Sequence, residues 1–461
     1  MTPSAAPSAV PPADGADDPR VWASRDAGVV WHGFTQMSCY EESSPVIVER
    51  AEGRELIGVD GRRYLDAISS LWVTTLGHHV RELDDALRDQ LDRVAHTTML
   101  GNGNRVTIEL AEALAPRLPV DRPHLMFASD GAAAVEQALK MAFQYWTNLA
   151  EQAGEDPRAT TRTTFLALGH AYHGDTIGAI SLGAGGFGTD VFDPLRFPVL
   201  RAPGYDDPGW ADAAVALVHE HHDRLAAVVL EPLVQGAAGM LVTDPGSVRR
   251  VADAAREHGV LLLADEVATG FGRTGTLFAC EQCGVEPDLL VIGKGLTGGY
   301  LPLSATVASR RVYEAFLGPD LSTATFYHGH SYSGNALACA VALRHLELLD
   351  EWDVLANVRD RSIQLAASLD ERVRPLPTVA EVRTRGLMVG VELDPPAEGL
   401  RWGRRVCAAA VAGGVLLRPL GDVVVLMPML TSTTDEIDRI VSVLSDAITS
   451  VTMGAAGVAP A

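Results

Sequence analysis

The sequence predicts an α/β protein: a large domain with a mostly parallel sheet between helices, and a small α+β domain built from both ends of the chain. Two observations carry this. From about residue 75 to about residue 345, short apolar runs alternate with amphipathic stretches, the pattern of strands buried on both faces and of the helices that cover them. The last hundred or so residues change to short strands split by turns, and residues 31–66 share that texture. A chain of 461 residues has room for such a division. The expected boundaries are a disordered leader at 1–20, the small domain at 21–75 with 345–453, the large domain at 76–344, and a disordered tail at 454–461.

The elements follow in order. Apolar runs at 124–127, 164–168, 226–230, 260–264 and 289–292 read as strands, and 133–146, 244–258 and 335–349 as helices between or after them. Beyond the charged stretch 357–374 come strands at 378–383 and 388–392, a helix near 401–412, and strands at 415–417 and 423–427. In folds of this kind, ligands sit beyond the carboxyl ends of the strands.

Composition excludes several classes. With 59 acidic and 37 basic side chains the formal net charge is -22, a surface that repels nucleic acid and anionic lipid. An anionic ligand is then held by a helix amino end or a single Arg. The first residues lack a signal peptide's basic start and apolar core, and no apolar run is long enough to span a membrane. The five cysteines are odd in number and scattered, which fits a reducing cytosol better than a disulfide framework. Cys280 and Cys283 form a lone C-x-x-C without a second ligand pair, so two incidental thiols are the better account. The doublets at 78–79 and 221–222 also lack a partner motif, and no metal site is expected.

The chemistry concentrates at two strand ends. The run 260–264 leads straight into Asp265, and the run ending at Ile292 leads into GKGLTGG, with Lys294 second. A carboxylate and an ammonium at neighbouring strand ends is what pyridoxal phosphate (PLP) requires. The lysine amine bonds to the cofactor aldehyde, and the carboxylate keeps the pyridine nitrogen protonated so that the ring accepts electrons. The bland alternative is a salt bridge between surface loops; glycines on both sides of Lys294 weigh against it. GFGRTG (270–275) matches a dinucleotide fingerprint, but DEVAT separates it from the strand and no long helix follows.

Other motifs gain meaning only beside this pair. FASDGAAAVEQ reads as strand, turn and helix, whose first N–H groups around Gly131 and Ala132 face outward for a phosphate; alone it is an ordinary capped helix. In HAYHGDT, Tyr172 offers a ring to a planar cofactor and Asp175 a carboxylate to position it or a substrate amine. HGHSYSGN offers the Ser331 hydroxyl and close approach at Gly329, and Arg418 in LLRPLGD is placed to clamp a carboxylate.

Together these stretches resemble the class III, fold-type I PLP aminotransferases, and among them the branch that aminates 8-amino-7-oxononanoate in biotin synthesis. The resemblance runs from about Trp31 to about Met429 and includes WHGFTQM, SSLW, ALKMAFQYW, AYHGDTIGA, EPLVQGAAGM and DEVATGFGRTG. It implies a seven-stranded sheet in the large domain and a homodimer that shares its active sites. It also implies roles. Lys294 holds PLP covalently, Asp265 pairs with its pyridine nitrogen, Val267 packs under the ring and Tyr172 stacks above it. Gly131 and Ala132 bind phosphate, with His330 and Ser331 from the other subunit. Phe34, Leu71, Trp72, Asp175, Gly329 and Arg418 line the substrate site, Arg418 taking the oxo acid's carboxylate. The chain departs from the commonest pattern at Phe34, Leu71, Ala132, His330–Ser331 and Val425, where Tyr, Trp, Ser, Pro-Thr and Tyr are usual. Missing Tyr hydroxyls leave the amino donor as S-adenosylmethionine or lysine. Another ω-amino acid transaminase, or a PLP-binding protein without catalysis, are the alternatives.

Overall fold

The computed structural model describes residues 17–184, 188–395 and 401–456. At its centre is a seven-stranded sheet, and the sequence explains its middle. Leu225–Leu230 (LAAVVL), Leu261–Asp265 and Leu289–Ile292 are buried at every position. Strands without a polar face belong where both faces are covered. Across the sheet the order is His124–Ala128, Ser304–Ala308, Leu289–Ile292, Leu261–Asp265, Leu225–Leu230, Thr164–Leu168 and Leu200–Ala202. Ser304–Ala308 runs antiparallel to both neighbours, and the remaining pairs are parallel. The mostly parallel seven-stranded sheet is therefore as expected; the reversed strand and Leu200–Ala202 were not among the expected elements.

Register decides where the chemistry falls. Asp265 is paired with Val291 on the neighbouring parallel strand. Lys294 follows just after that strand ends at Ile292. Both side chains therefore emerge at the same edge of the sheet.

The helix Gly131–Gln152 starts directly after His124–Ala128, capped by Asp130 Oδ1, which accepts the Ala133 N–H at 2.9 Å. Its amino end is fastened to the reversed strand. The Ser304 hydroxyl donates to the Asp130 carbonyl at 2.6 Å, and that of Thr306 to the Ala134 carbonyl at 2.6 Å. Asn335 caps Ala336–Glu351 in the same way, and Asp244 with Pro245 opens Pro245–Glu257.

The two ends of the chain meet by hydrogen bonding. Val48–Glu52, Glu55–Gly58 and Arg63–Asp66 form an antiparallel set extended by Val415–Leu416, in which Leu65 pairs with Val415. A second sheet joins Val379–Arg385, Met388–Leu393, Val423–Leu426 and Arg418–Leu420. The charged stretch 357–374 is mostly the helix Val354–Arg372, which buries Val354, Val358, Leu365 and Leu369 along one stripe.

Two boundary expectations are corrected. The leader was placed at 1–20, but Pro19–Ala27 is helical, with Asp18 accepting from the Arg20 N–H at 2.9 Å and Pro19 in the first turn; positions 1–16 lie outside the described residues. The tail was expected from 454, yet the helix Thr434–Ala456 continues through Gly454, because buried Ile437, Ile440, Val441, Leu444 and Ile448 anchor it; positions 457–461 lie outside the described residues. Among the described residues no helix is long and apolar enough to cross a membrane.

Candidate active site

A cavity of about 750 Å³ opens at the carboxyl ends of the central strands, lined among others by Trp72, Gly131, Ala132, Tyr172, Asp175, Asp265, Val267 and Lys294. Eight of the residues singled out in the sequence thus meet in one place.

Lys294 has a left-handed backbone (φ 43°) at the head of a short turn that ends in Gly298 and Gly299, both with positive φ. The turn is pressed into the protein. A Cβ on Gly299 would lie 2.7 Å from the Thr74 Cα, and one on Gly295 would lie 3.1 Å from the Phe271 Cβ. The glycines therefore serve packing of the loop as well as access to the amine. Lys294 Nζ lies 4.9 Å from the centroid of the Trp72 ring. Burial lowers the lysine's pKa, while the charges of Asp265 and Glu231 hold it back up. An amine with lowered basicity is a better nucleophile and proton acceptor near neutrality.

Asp265 is 5% exposed. Its Oδ2 accepts from His173 Nδ1 at 2.7 Å and its Oδ1 from the Val267 N–H at 3.0 Å. An ionised carboxylate has further lone pairs, so it can still accept from a cofactor. His173 is buried too, and its Nε2 has no partner among the described residues. Burial alone would lower the His173 pKa, but the hydrogen bond and charge of Asp265, with Glu231, outweigh it and raise it. Buried Glu231 accepts the Tyr172 N–H at 3.1 Å and the Gly236 N–H at 3.3 Å. Burial pushes its pKa up to about 7, opposed by His173 and reinforced by Asp265. His173 and Glu231 are functional candidates that the sequence alone does not single out. Their only signal there was position, inside the same motifs as Tyr172 and VQGAAGM.

The amino end of Gly131–Gln152 lines the cavity beside Val267, and a Cβ on Gly131 would lie 2.9 Å from the Val267 Cγ1. The N–H groups of Gly131 and Ala132 precede the helical ladder, and with the helix dipole they make an anion cradle. The Tyr172 hydroxyl donates to Asp175 Oδ2 at 2.9 Å, and burial followed by the Asp175 charge raises its pKa. Tyr172 is therefore held as a neutral phenol at the cavity wall.

The remaining expected residues fall elsewhere. Phe34 and Arg418 line a second cavity, of about 1050 Å³, between residues 19–64 and 404–419. Leu71 is 47% exposed and, with Gly329, His330 and Ser331, lines neither of these two cavities. His330 and Ser331 sit on a loop where the Ser331 carbonyl accepts from His96 Nε2 at 2.8 Å. Val425 is fully buried in a hydrophobic cluster. Within GFGRTG, buried Arg273 donates to the Pro428 carbonyl at 2.7 Å and the Thr74 carbonyl at 2.9 Å, so this turn braces the fold instead of binding a dinucleotide. Cys280 and Cys283 are buried free thiols on a short helix.

The donor set fits PLP: an amine at Lys294 for the aldehyde, a carboxylate at Asp265 for the pyridine nitrogen, a helix amino end for the phosphate, and an apolar floor at Val267 between them. Comparison with known proteins agrees. The adenosylmethionine-8-amino-7-oxononanoate aminotransferase of Nitratidesulfovibrio vulgaris is 46% identical over 451 residues, covering 93% of this chain and 82% of that protein. The crystal structure of the enzyme of that name from Methanocaldococcus jannaschii matches with a TM-score of 0.88 at 37% identity, covering 94% of this chain and 99% of that one. An amine transaminase from an uncultivated Pseudomonas species, solved with PLP bound, matches with a TM-score of 0.84 at 32% identity, covering 92% and 98%. Residues 37–448 match the family model of aminotransferase class III, and the chain belongs to that family.

Proposed function

We propose that this chain is the PLP-dependent enzyme that transfers an amino group to 8-amino-7-oxononanoate, giving 7,8-diaminononanoate for biotin synthesis, with S-adenosylmethionine as donor. The observation that carries it is the meeting of Lys294, Asp265 and the Gly131 helix end in one cavity, in a chain 46% identical to an enzyme named for that reaction. PLP, when bound, supplies an electron sink that lets a proton leave the donor's α carbon. Lys294 Nζ takes that proton and returns it, its basicity lowered by burial. Asp265 holds the pyridine nitrogen protonated, and His173 holds Asp265. Gly131 and Ala132 bind the phosphate through N–H groups, Val267 and Tyr172 enclose the ring, and Asp175 fixes the Tyr172 hydroxyl. Trp72 closes the wall behind Lys294.

Arg418 takes the carboxylate of the oxo acid, with Phe34, Leu71 and Gly329 along its channel. His330 and Ser331 complete the phosphate site of a second copy in a homodimer; their place outside this chain's own cavity supports that reading. Lysine is a second donor to be tested, because Phe34 and Leu71 stand where aromatic side chains of other chemistry are usual. The chain divides into a large body at 76–344 and a smaller one from 19–75 and 345–456, a division supported by the pairing of Leu65 with Val415. Its compartment is the cytoplasm, supported by five free cysteines.

The test is borohydride reduction of the PLP-loaded protein with peptide mapping, together with rescue of a biotin auxotroph lacking this aminotransferase. The label is expected on Lys294 and rescue is expected from the native chain but not from Lys294→Ala. A label elsewhere overturns the lysine assignment. Bleaching of the PLP absorption band by simple ω-amines but by neither S-adenosylmethionine nor lysine overturns the substrate, and bleaching by none of the amines leaves a non-catalytic PLP protein.

A further inference from the structure

The strands Leu225–Leu230 and Leu261–Asp265 carry the active site at their carboxyl ends; their amino ends lie at the opposite edge of the sheet, roughly 17–20 Å away for five and six residues of strand. Each is preceded by a helix, Trp210–His221 and Pro245–Glu257, and the two helices pack on each other. Where these helices finish, His219 Nδ1 lies 2.7 Å from His258 Nε2. His219, Glu257 and His258 each offer one ligand atom, a ring nitrogen or a carboxylate oxygen, and these three atoms all lie within 4.8 Å of one another. The His222 ring stacks on His258 with centroids 4.2 Å apart, and Arg162 Nη2 donates to the His258 carbonyl at 3.3 Å, so the second imidazole is held in place.

We propose that His219, His258 and Glu257 form a surface site for a divalent transition-metal ion, Zn²⁺. Two imidazole nitrogens this close share one proton, an N–H facing a lone pair. Transfer of that proton through solvent to the other nitrogen of the same ring, with a separation to about 3.3 Å, would give two neutral imidazoles with both lone pairs aimed at one ion and Zn–N bonds of about 2.0–2.1 Å. That asks for a movement of about half an ångström, which the exposed His219 side chain can make while His258 stays in place. The mixture of two imidazoles and one carboxylate selects zinc over magnesium or calcium, which take oxygen ligands. The carboxylate offsets part of the ion's charge, and solvent supplies the fourth ligand. Sequence spacing does not reveal the site, because its ligands come from two helices about forty positions apart that only the packing of the fold brings together. Bound there, the ion ties the helix ends together and favours the folded state without touching the chemistry at Lys294.

The experiment uses the PLP-loaded full chain, stripped of metal and titrated with Zn²⁺ against a chromophoric chelator, with the unfolding temperature followed in parallel. One equivalent per chain and a rise in unfolding temperature are expected. The double variant His219→Ala, His258→Ala should lose both while keeping its aminotransferase activity, and Glu257→Gln should bind more weakly. If the double variant does not fold, His219→Ala alone carries the test, since that side chain is exposed. An equivalent of zinc that persists in these variants is held elsewhere and overturns the proposal, as does a native chain that takes up none.

Discussion

His173 Nδ1 lies 2.7 Å from Asp265 Oδ2, and both residues are buried. With Asp265 proposed to meet the pyridine nitrogen, this pair makes His173 a positioning residue that orients the carboxylate. Hydrogen bonds to charged groups contribute about 1.5–3 kcal/mol. His173→Phe should therefore weaken cofactor retention by about tenfold or more and shift the pH dependence of the cofactor's visible band. His173→Gln keeps a donor and should recover part of both. Dialysis against free cofactor and a spectral pH titration read the outcome. Unchanged values in His173→Phe would mean that the Val267 N–H alone orients Asp265.

Gly131 is a packing requirement, because a Cβ there would lie 2.9 Å from the Val267 Cγ1. By helix propensity alone, Gly131→Ala should stabilise the protein by up to about 1 kcal/mol. The contact with Val267 predicts the reverse at the site: the floor shifts and PLP affinity falls several-fold. Val267→Ala clears the space, so the double variant should bind PLP better than Gly131→Ala alone, a non-additivity that a double-mutant cycle measures. Strict additivity would place the effect in the helix end and not in the contact.

Most of the site was legible because it hangs on strand ends. Apolar runs ending in Asp265 and leading into Lys294 fix both residues at the edge where parallel strands present ligand loops. Turn glycines and the Asp130 cap mark the helix start in the same way. What stayed hidden depends on contacts distant in sequence. SATVA at 304–308 is apolar like its neighbours, and nothing local says that it runs antiparallel. The positive φ of Ser69, Ser70 and Trp72, which brings the indole over Lys294, carries no glycine to announce it. Glu231 gains its character from burial, which a polar letter in a motif does not display.

Glu231 ties stability to pH. Burial lifts its pKa from 4.5 to about 7, Asp265 adds to this, and His173 and the N–H groups of Tyr172 and Gly236 oppose it. The folded state therefore holds this proton more tightly than the unfolded chain does. Its contribution to stability is greatest below 4.5, declines as pH rises toward about 7, and is level above that. Glu231→Gln removes the titration. Measured on cofactor-free protein, the unfolding free energy of the Gln variant minus that of the native chain should climb across this window, by at most roughly 3 kcal/mol. The offset between the two proteins also contains the acceptor that Gln lacks for one N–H, so the slope is the diagnostic. A flat difference would mean that Glu231 stays ionised throughout.

Arg418 lines the cavity that holds Phe34, not the one that holds Lys294. In a ping-pong reaction, a clamp for the oxo acid serves one half-reaction only. Lysine keeps the positive charge but loses the planar fork that pairs with both carboxylate oxygens. Arg418→Lys should therefore raise KM for 8-amino-7-oxononanoate by about tenfold or more, the scale of one charge-assisted hydrogen bond. The single-turnover rate with the amino donor should stay within about twofold. Phe34→Tyr restores a hydroxyl in the same cavity and should alter the preference between S-adenosylmethionine and lysine while leaving the oxo acid KM in place. Loss of both half-reactions in Arg418→Lys would instead mean that the residue holds the fold between residues 19–64 and 404–419, and the carboxylate clamp would have to be sought on another side chain.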